Sequence, residues 1–194
     1  MAGDAPLIGV VALQGGFAAH ERVLRELGAE VREVRTPADL EGLDGLVWPG
    51  GESTTMMLAV EREGLAEPLR DLVERGTPVL GTCAGMIMLD RAHLGLLDVT
   101  CQRNAFGRQL HSFEADLELP GVTDGGEPLR AVFIRAPWVR EAGPDVEVLA
   151  EVDGHPVAVR QGNLLAVAFH PELSDDFRLH RRFIDVVLER RGAR

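Results

Sequence analysis

The sequence predicts an α/β fold: a doubly wound, mostly parallel sheet with helices on both faces, joined by additional antiparallel strands in the C-terminal half. Two observations carry this. In the first half, short continuous apolar runs alternate with amphipathic stretches of helical period. Those runs lack the in–out alternation of a half-exposed sheet, as expected of strands covered on both faces. Three of the connections that follow them carry glycines, and in open α/β sheets ligands collect at the carboxyl ends of the strands.

Taken in order, LIGVVAL (7–13) is a buried strand ending in Gln14-Gly15-Gly16. Residues 17–27 follow as a helix with Phe17, Val23, Leu24 and Leu27 on one side and Gly28 as its stop. Residues 30–35 alternate as a strand near an edge, and GLVWPGG (45–51) is a second buried strand closed by glycines. Helices are predicted over 53–63 and 65–75, with Ser53 as the cap of the first. PVLGT (78–82) is a short buried strand that runs into Cys83. Segments near 112–118, 130–134, 146–151, 156–160 and 164–169 read as meander strands returning to the sheet. A final helix over 175–190 carries Phe177, Phe183, Ile184, Val187 and Leu188 as its apolar residues. The turns at Gly125-Gly126 and Gly143-Pro144 are too short to be linkers, so residues 1–194 read as one domain.

Composition narrows the function classes. A chain of 194 residues forms a core that needs neither disulfides nor a structural metal. With 45% apolar and 26% charged residues it is not a disordered chain. A net charge of -11 argues against a nucleic-acid partner. No apolar run approaches the roughly 18 residues that would span a membrane, and the first 16 residues read as a strand rather than a signal peptide. All 20 basic residues are arginine, which excludes Schiff-base lysine chemistry and a P-loop lysine. Two cysteines are too few for a disulfide scaffold or a CxxC zinc site, so a reducing, cytoplasmic location is expected, with no metal or cofactor.

Three segments carry chemistry. GTCAG (81–85), between a buried strand and a helical run, has the small-x-nucleophile-x-small pattern of a nucleophile elbow. Its turn lifts Cys83 to the sheet edge at a helix N-terminus, where a thiolate is favoured over a thiol; a buried, inert cysteine is the bland alternative. AVAFHPEL (166–173) ends an apolar strand in His170, with Glu172 two residues on, on the same side of an extended segment. That carboxylate can hydrogen-bond one imidazole nitrogen and leave the other facing the sulfur. PGGE (49–52) offers backbone N–H groups to an oxyanion, although a glycine pair alone is more often a simple tight turn. The other histidines (His20, His93, His111, His155 and His180) read as surface or packing residues, and Cys101 as packing.

GTCAG with HPE downstream and PGG upstream resembles the class I (triad) glutamine amidotransferases, whose fold is the flavodoxin-like one expected above. More narrowly, the chain resembles the glutaminase subunits of pyridoxal 5'-phosphate synthase. The residues that narrow it are GVVALQGGFAAH (9–20), PGGESTT (49–55), GTCAGMI (81–87), RNAFGRQ (103–109), SFEADL (112–117), FIRAP (133–137) and HPEL (170–173), in order along nearly the whole chain. The resemblance implies that Cys83 attacks the side-chain amide of L-glutamine, forms a thioester and releases ammonia. His170 would shuttle the proton and Glu172 would orient it. Backbone N–H groups of Gly50, Gly51 and Ala84 would hold the oxyanion, and Gly51, Glu52, Ser53, Arg103, Ile134 and Arg135 would bind glutamine. It also implies a partner, a (β/α)8-barrel synthase subunit in a large hetero-oligomer, which takes the ammonia to make pyridoxal 5'-phosphate, the vitamin B6 coenzyme. The coenzyme is then a product and not a cofactor of this chain.

One segment departs from that family. Only Asp90-Arg91-Ala92-His93 separate GTCAGMIML (81–89) from LGLLDV (94–99), where family members carry a longer stretch; the connection is either naturally short or lacks loop residues. Two other readings remain at the level of sequence. One is a triad amidotransferase for another acceptor, or a freestanding γ-glutamyl hydrolase, against which RNAFGRQ and FIRAP speak. The other is a catalytically silent regulatory domain, against which the full set Cys83, His170 and Glu172 speaks.

Overall fold

The computed structural model describes residues 5–106 and 112–193. Among these, seven strands form the main sheet in the order β2-β1-β3-β4-β11-β10-β9. Strands β1 (Leu7–Val11), β2 (Glu30–Val34), β3 (Gly45–Trp48), β4 (Val79–Thr82) and β11 (Leu164–Val167) are parallel. The antiparallel strands β10 (His155–Gln161) and β9 (Glu147–Val152) complete one side. The parallel order β2-β1-β3-β4 is the doubly wound arrangement the sequence predicts, and β2 is the edge strand. Pro49 ends β3 before the glycines, because proline supplies no N–H to continue a ladder.

Helices cover both faces, and two glycines show how. Gly45 and Gly81 lie on adjacent parallel strands, with Trp48 paired to Gly81. Side chains alternate along β3, so Gly81 shares the face of Leu46 and Trp48, whereas Gly45 shares that of Val47. A Cβ at Gly45 would lie 2.6 Å from Val187 of α5 (Arg178–Gly192), and one at Gly81 would lie 2.8 Å from Leu89 of α4 (Ala84–Leu89). Both helices approach the sheet more closely than any side chain there would allow. Around them the core gathers Ile8, Leu24, Leu46, Trp48, Leu80, Met86, Phe169 and Phe183, each 2% exposed or less. The remaining helices are α1 (Phe17–Glu26), α2 (Ser53–Glu63) and α3 (Ala66–Glu74).

The C-terminal half corrects the meander expectation. Strands β6 (Ser112–Leu117) and β7 (Leu129–Ile134) pair with each other and not with the main sheet. A second two-stranded ribbon joins β5 (Val99–Gln102) to β8 (Trp138–Ala142). β8 escapes sequence reading because it is mostly exposed and carries charges, so no apolar run marks it. α5 starts at Arg178 and not at 175, because the Asp176 carboxylate accepts from the Arg178 N–H and holds the preceding residues outside the helix. Leu188 is 43% exposed and does not join the core. The four-residue connection after α4 is closed by Asp90, whose side chain accepts from the N–H groups of Ala92, His93 and Cys101.

Candidate active site

Cys83 stands in the turn between β4 and α4 with φ 49 and ψ -111. This is a strained conformation for a residue with a Cβ, held because its surroundings over-determine it. The Cys83 N–H donates to Val167 O at 2.8 Å, which ties the elbow to the neighbouring strand. Gly85 is required on the other side, since a Cβ there would lie 2.1 Å from the Trp48 carbonyl oxygen. The sulfur is nearly buried, and its contact to the Ile134 carbonyl is 3.9 Å.

His170 follows β11, and its backbone N–H donates to Val132 O at 2.8 Å. Its Nδ1 lies 2.8 Å from Glu172 Oε1, and the ring and the Cys83 side chain stand together beside Gly50. The pairing expected from an extended His-x-Glu arises differently. Residues Pro171–Leu173 form a 3-10 turn, with Pro171 at its first position, and this turn folds the carboxylate back under the ring. Burial works against a charge on His170, but the adjacent Cys83 side chain and the hydrogen bond with Glu172 outweigh it and lift the imidazole to about 10. Burial likewise opposes ionisation of Glu172, yet its hydrogen bond with His170 and its close contact with the His20 imidazole hold its carboxyl well below the usual carboxylate range.

The glycine loop after β3 closes over this pair. A Cβ at Gly50 would lie 2.5 Å from His170 Cε1 and 3.2 Å from Cys83 Cβ. The Gly50 carbonyl accepts from the Gly16 N–H at 3.1 Å, and Gln14 Oε1 accepts from the Glu52 N–H at 2.7 Å. The loops after β1 and β3 are thus stitched together. The helix cap is Glu52 and not Ser53. The Glu52 carboxylate reaches both the Thr54 and Thr55 N–H groups, which the shorter Ser53 side chain, already inside the helix, does not. Those bonds, Thr55's hydroxyl and N–H first and then Thr54's N–H, pull the Glu52 carboxyl down to about 2. Glu52 also accepts from Arg103 Nη2 at 2.9 Å, and Arg103 donates to Thr54 Oγ1 at 3.2 Å. Ser53 is 1% exposed, and its hydroxyl has no partner among the described residues.

These side chains enclose a cavity of about 330 Å³. Ten of the eleven residues singled out from sequence line it: Gly50, Gly51, Glu52, Ser53, Cys83, Ala84, Arg103, Ile134, Arg135 and His170. The eleventh, Glu172, sits buried behind His170. Gln14, Gly16, Ile87 and Asn104 also line it and were not singled out as site residues. Asn104 (φ 46) and Arg135 (φ 43) both stand in the left-handed region at the rim. Of the RNAFGRQ segment, Gly107, Arg108 and Gln109 lie outside the described residues, as does His111. Among the described residues no group of three or more His, Cys, Asp or Glu could hold a metal ion. The cavity therefore combines a thiol, an imidazole backed by a carboxylate, two arginines and an unpartnered buried hydroxyl. Such a set can cleave an acyl or amide bond of a small zwitterionic or anionic substrate.

His20 and His180 are not surface or simple packing residues. Both are fully buried and form a polar chain ending on Glu172. A signal for them was present. His20 lies on the stripe of Phe17, Leu24 and Leu27, and His180 precedes Phe183, Ile184 and Val187 at spacings of three, four and seven.

Comparison with known proteins agrees with this geometry. Residues 10–189 match the model of the SNO glutamine amidotransferase family. The pyridoxal 5'-phosphate synthase subunit PdxT of Kineococcus radiotolerans is 52% identical, over 98% of this chain and 99% of that protein. The subunit of the same name from Frankia alni is 54% identical, over 94% of this chain and 95% of its own length. A crystal structure of a glutamine amidotransferase superposes with a TM-score of 0.86 at 46% identity, covering 93% of this chain and 98% of that one. PurLQS from Thermotoga maritima shares the fold alone, with a TM-score of 0.75 at 20% identity, over 96% of this chain and 99% of that one. A cysteine elbow, its histidine and glutamate, and a family match over nearly the whole chain agree: the chain belongs to the SNO glutamine amidotransferase family.

Proposed function

We propose that the chain is the glutaminase subunit of a pyridoxal 5'-phosphate synthase, hydrolysing L-glutamine to L-glutamate and ammonia for a partner synthase subunit. Cys83 and His170 side by side at the wall of a small polar cavity, with His170 hydrogen-bonded to Glu172, carry this reading. In the reaction, the Cys83 sulfur attacks the glutamine side-chain carbonyl and forms a C–S bond. The carbonyl electrons move onto oxygen, and backbone N–H groups of Gly50, Gly51 and Ala84 stabilise that charge. Collapse of the intermediate breaks the C–N bond. The proton held by His170 goes to the leaving nitrogen, which departs as ammonia. His170, now neutral, takes a proton from water, whose oxygen attacks the thioester. Loss of the sulfur then yields glutamate and restores the starting pair. Glu172 keeps the His170 Nδ1–H in place throughout and leaves Nε2 for the chemistry.

Glutamine needs a cation for its carboxylate and hydrogen-bond partners for its ammonium group. Arg103 and Arg135 at the rim suit the first, with Glu52, the orphan Ser53 hydroxyl and backbone groups near Gly51 and Ile134 suiting the rest. The whole chain acts as one amidotransferase unit in the cytoplasm, docked on a (β/α)8-barrel synthase in a large hetero-oligomer that receives the ammonia. Names of relatives matched over nearly their full length support a synthase partner. Among the described residues no helix is long and apolar enough to cross a membrane.

The test is ammonia release from glutamine with and without the barrel subunit. Activity should appear on adding the partner and vanish in Cys83→Ala. Full turnover by the isolated chain would favour the freestanding hydrolase, and none in any mixture would favour a silent domain.

A further inference from the structure

Behind the thiol and imidazole lies a second pair of histidines to which the reaction above gives no part. His20, from α1, and His180, from α5, are 160 residues apart in sequence and both 0% exposed. His20 Nδ1 is 2.9 Å from His180 Nε2. His20 Nε2 is 3.1 Å from Thr82 Oγ1 and 3.2 Å from Glu172 Oε2. The hydrogen bond of that nitrogen goes to Thr82, so Oε2 is buried without a hydrogen-bond partner among the described residues, and the His20 imidazole is the close polar contact facing it.

The proton positions follow from what each nitrogen can reach. His180 Nδ1 is buried with no partner among the described residues, and burial pushes this imidazole down to about 3, so the ring is neutral with one proton to place. On Nδ1 that proton would be an orphaned donor. It would also make His20 Nδ1 the donor to His180 and leave a bare His20 Nε2 lone pair against the Glu172 carboxylate. With the proton on His180 Nε2, both conflicts disappear. His180 then donates to His20 Nδ1, His20 Nε2–H points at Thr82 and Glu172, and the Thr82 hydroxyl is free to donate to Trp48 O at 3.5 Å. Glu172 thus has an imidazole N–H against each oxygen, a hydrogen bond at Oε1 and a close electrostatic contact at Oε2.

We propose that His20, its tautomer set by His180, is a positioning residue for the Cys83–His170 pair: it holds Glu172 Oε2 so that Oε1 stays aimed at His170 Nδ1. Its part in turnover rests on the glutaminase reading, but its effect on the thiol does not. The titratable and charged groups facing the pair are Glu172, His20 and His180 behind it and Glu52, Arg103 and Arg135 across the cavity. Only the first three form the chain described.

The experiment follows iodoacetamide alkylation of Cys83 against pH in the isolated chain, read at that residue by peptide mass, for wild type, His20→Leu and His20→Gln. Without the His20 imidazole against Oε2, Glu172 is held less firmly under His170, and the ring is less well placed to stabilise a thiolate formed at Cys83. His20→Leu should therefore move the alkylation midpoint to higher pH by about one unit, on the order of a tenfold slower reaction near neutrality. His20→Gln keeps an N–H near the Nε2 position and should restore the wild-type profile. In the complex with the barrel subunit, His20→Leu should lower kcat while leaving KM for glutamine nearly unchanged. Coincident alkylation profiles for wild type and His20→Leu would overturn the proposal. Should His20→Leu not fold, ¹⁵N-histidine spectra of the wild type decide: a protonated Nδ1 on His180 refutes the assigned tautomer, and a bare one supports it. Absence of glutaminase activity with a shifted alkylation profile would refute the proposed function and leave this positioning role intact.

Discussion

A methyl group on Gly50 would stand 2.5 Å from Cε1 of His170, so the loop after β3 touches the edge of this imidazole with nothing to spare. The ring cannot retreat freely, because Nδ1 is tied to Glu172 and the backbone N–H to Val132. The loop cannot lift freely either, with the Gly50 carbonyl engaged by the Gly16 N–H.

Gly50→Ala should therefore displace the imidazole relative to the sulfur. Misplacement of about 1 Å at a reacting centre costs on the order of 100-fold in rate. We expect ammonia release in the presence of the barrel subunit to fall by about that factor, with glutamine binding by calorimetry largely kept. Wild-type turnover in Gly50→Ala would mean that the loop stands elsewhere during the reaction.

The buried Glu172 carboxylate sets a second expectation, for stability against pH. Its folded-state pKa is depressed, so its contribution is present above the ordinary carboxylate value of 4.5 and is lost as pH falls through the window below it. In that window the unfolded chain takes up a proton that the folded chain does not, at about 1.4 kcal/mol per pH unit. Glu172→Gln lacks this term, while the depressed carboxyls of Asp39, Glu52 and Asp176 act equally in both proteins. Denaturant titrations from pH 6 to pH 3 should show the stability difference between wild type and Glu172→Gln narrowing below pH 4.5. A constant difference across that range would show that folding leaves the Glu172 carboxyl at its ordinary value, and a difference that grows as pH falls from 6 to 4.5 would show that it is neutral in the folded protein.

What was legible in the sequence was whatever is written locally. Strands β1, β3 and β4 are covered on both faces, so apolar runs announce them, and the glycines after them mark where the cleft must lie. Cys83 and His170 could be read because a strand end and a tight turn surround each. The role of Glu52 as cap was hidden, since a serine next door has the commoner capping chemistry and only the geometry shows the longer carboxylate reaching two N–H groups. The ribbon β5–β8 was hidden because an exposed strand has no apolar signature. His20 and His180 were visible as polar residues on apolar stripes, but not as a pair. Their partnership depends on α1 and α5 meeting behind Glu172, a contact made by chain ends 160 residues apart.

The backbone at Cys83 gives the last expectation, and it inverts an ordinary ranking. At most buried positions alanine is more stabilising than glycine, because glycine loses more conformational freedom on folding. Cys83 has φ 49 and ψ -111, where any Cβ is strained by about 1–3 kcal/mol while glycine is not. Both Cys83→Ala and Cys83→Gly remove the thiol and its contacts, so the difference between them isolates the elbow's strain from the lost interaction. Cys83→Gly should be the more stable of the two inactive variants, by about 1 kcal/mol in denaturant midpoint and a correspondingly higher Tm. The usual order, with alanine ahead, would mean that the elbow relaxes once the sulfur is gone, and that the strain is imposed by the Cys83–His170 contact rather than by the closely packed turn between β4 and α4.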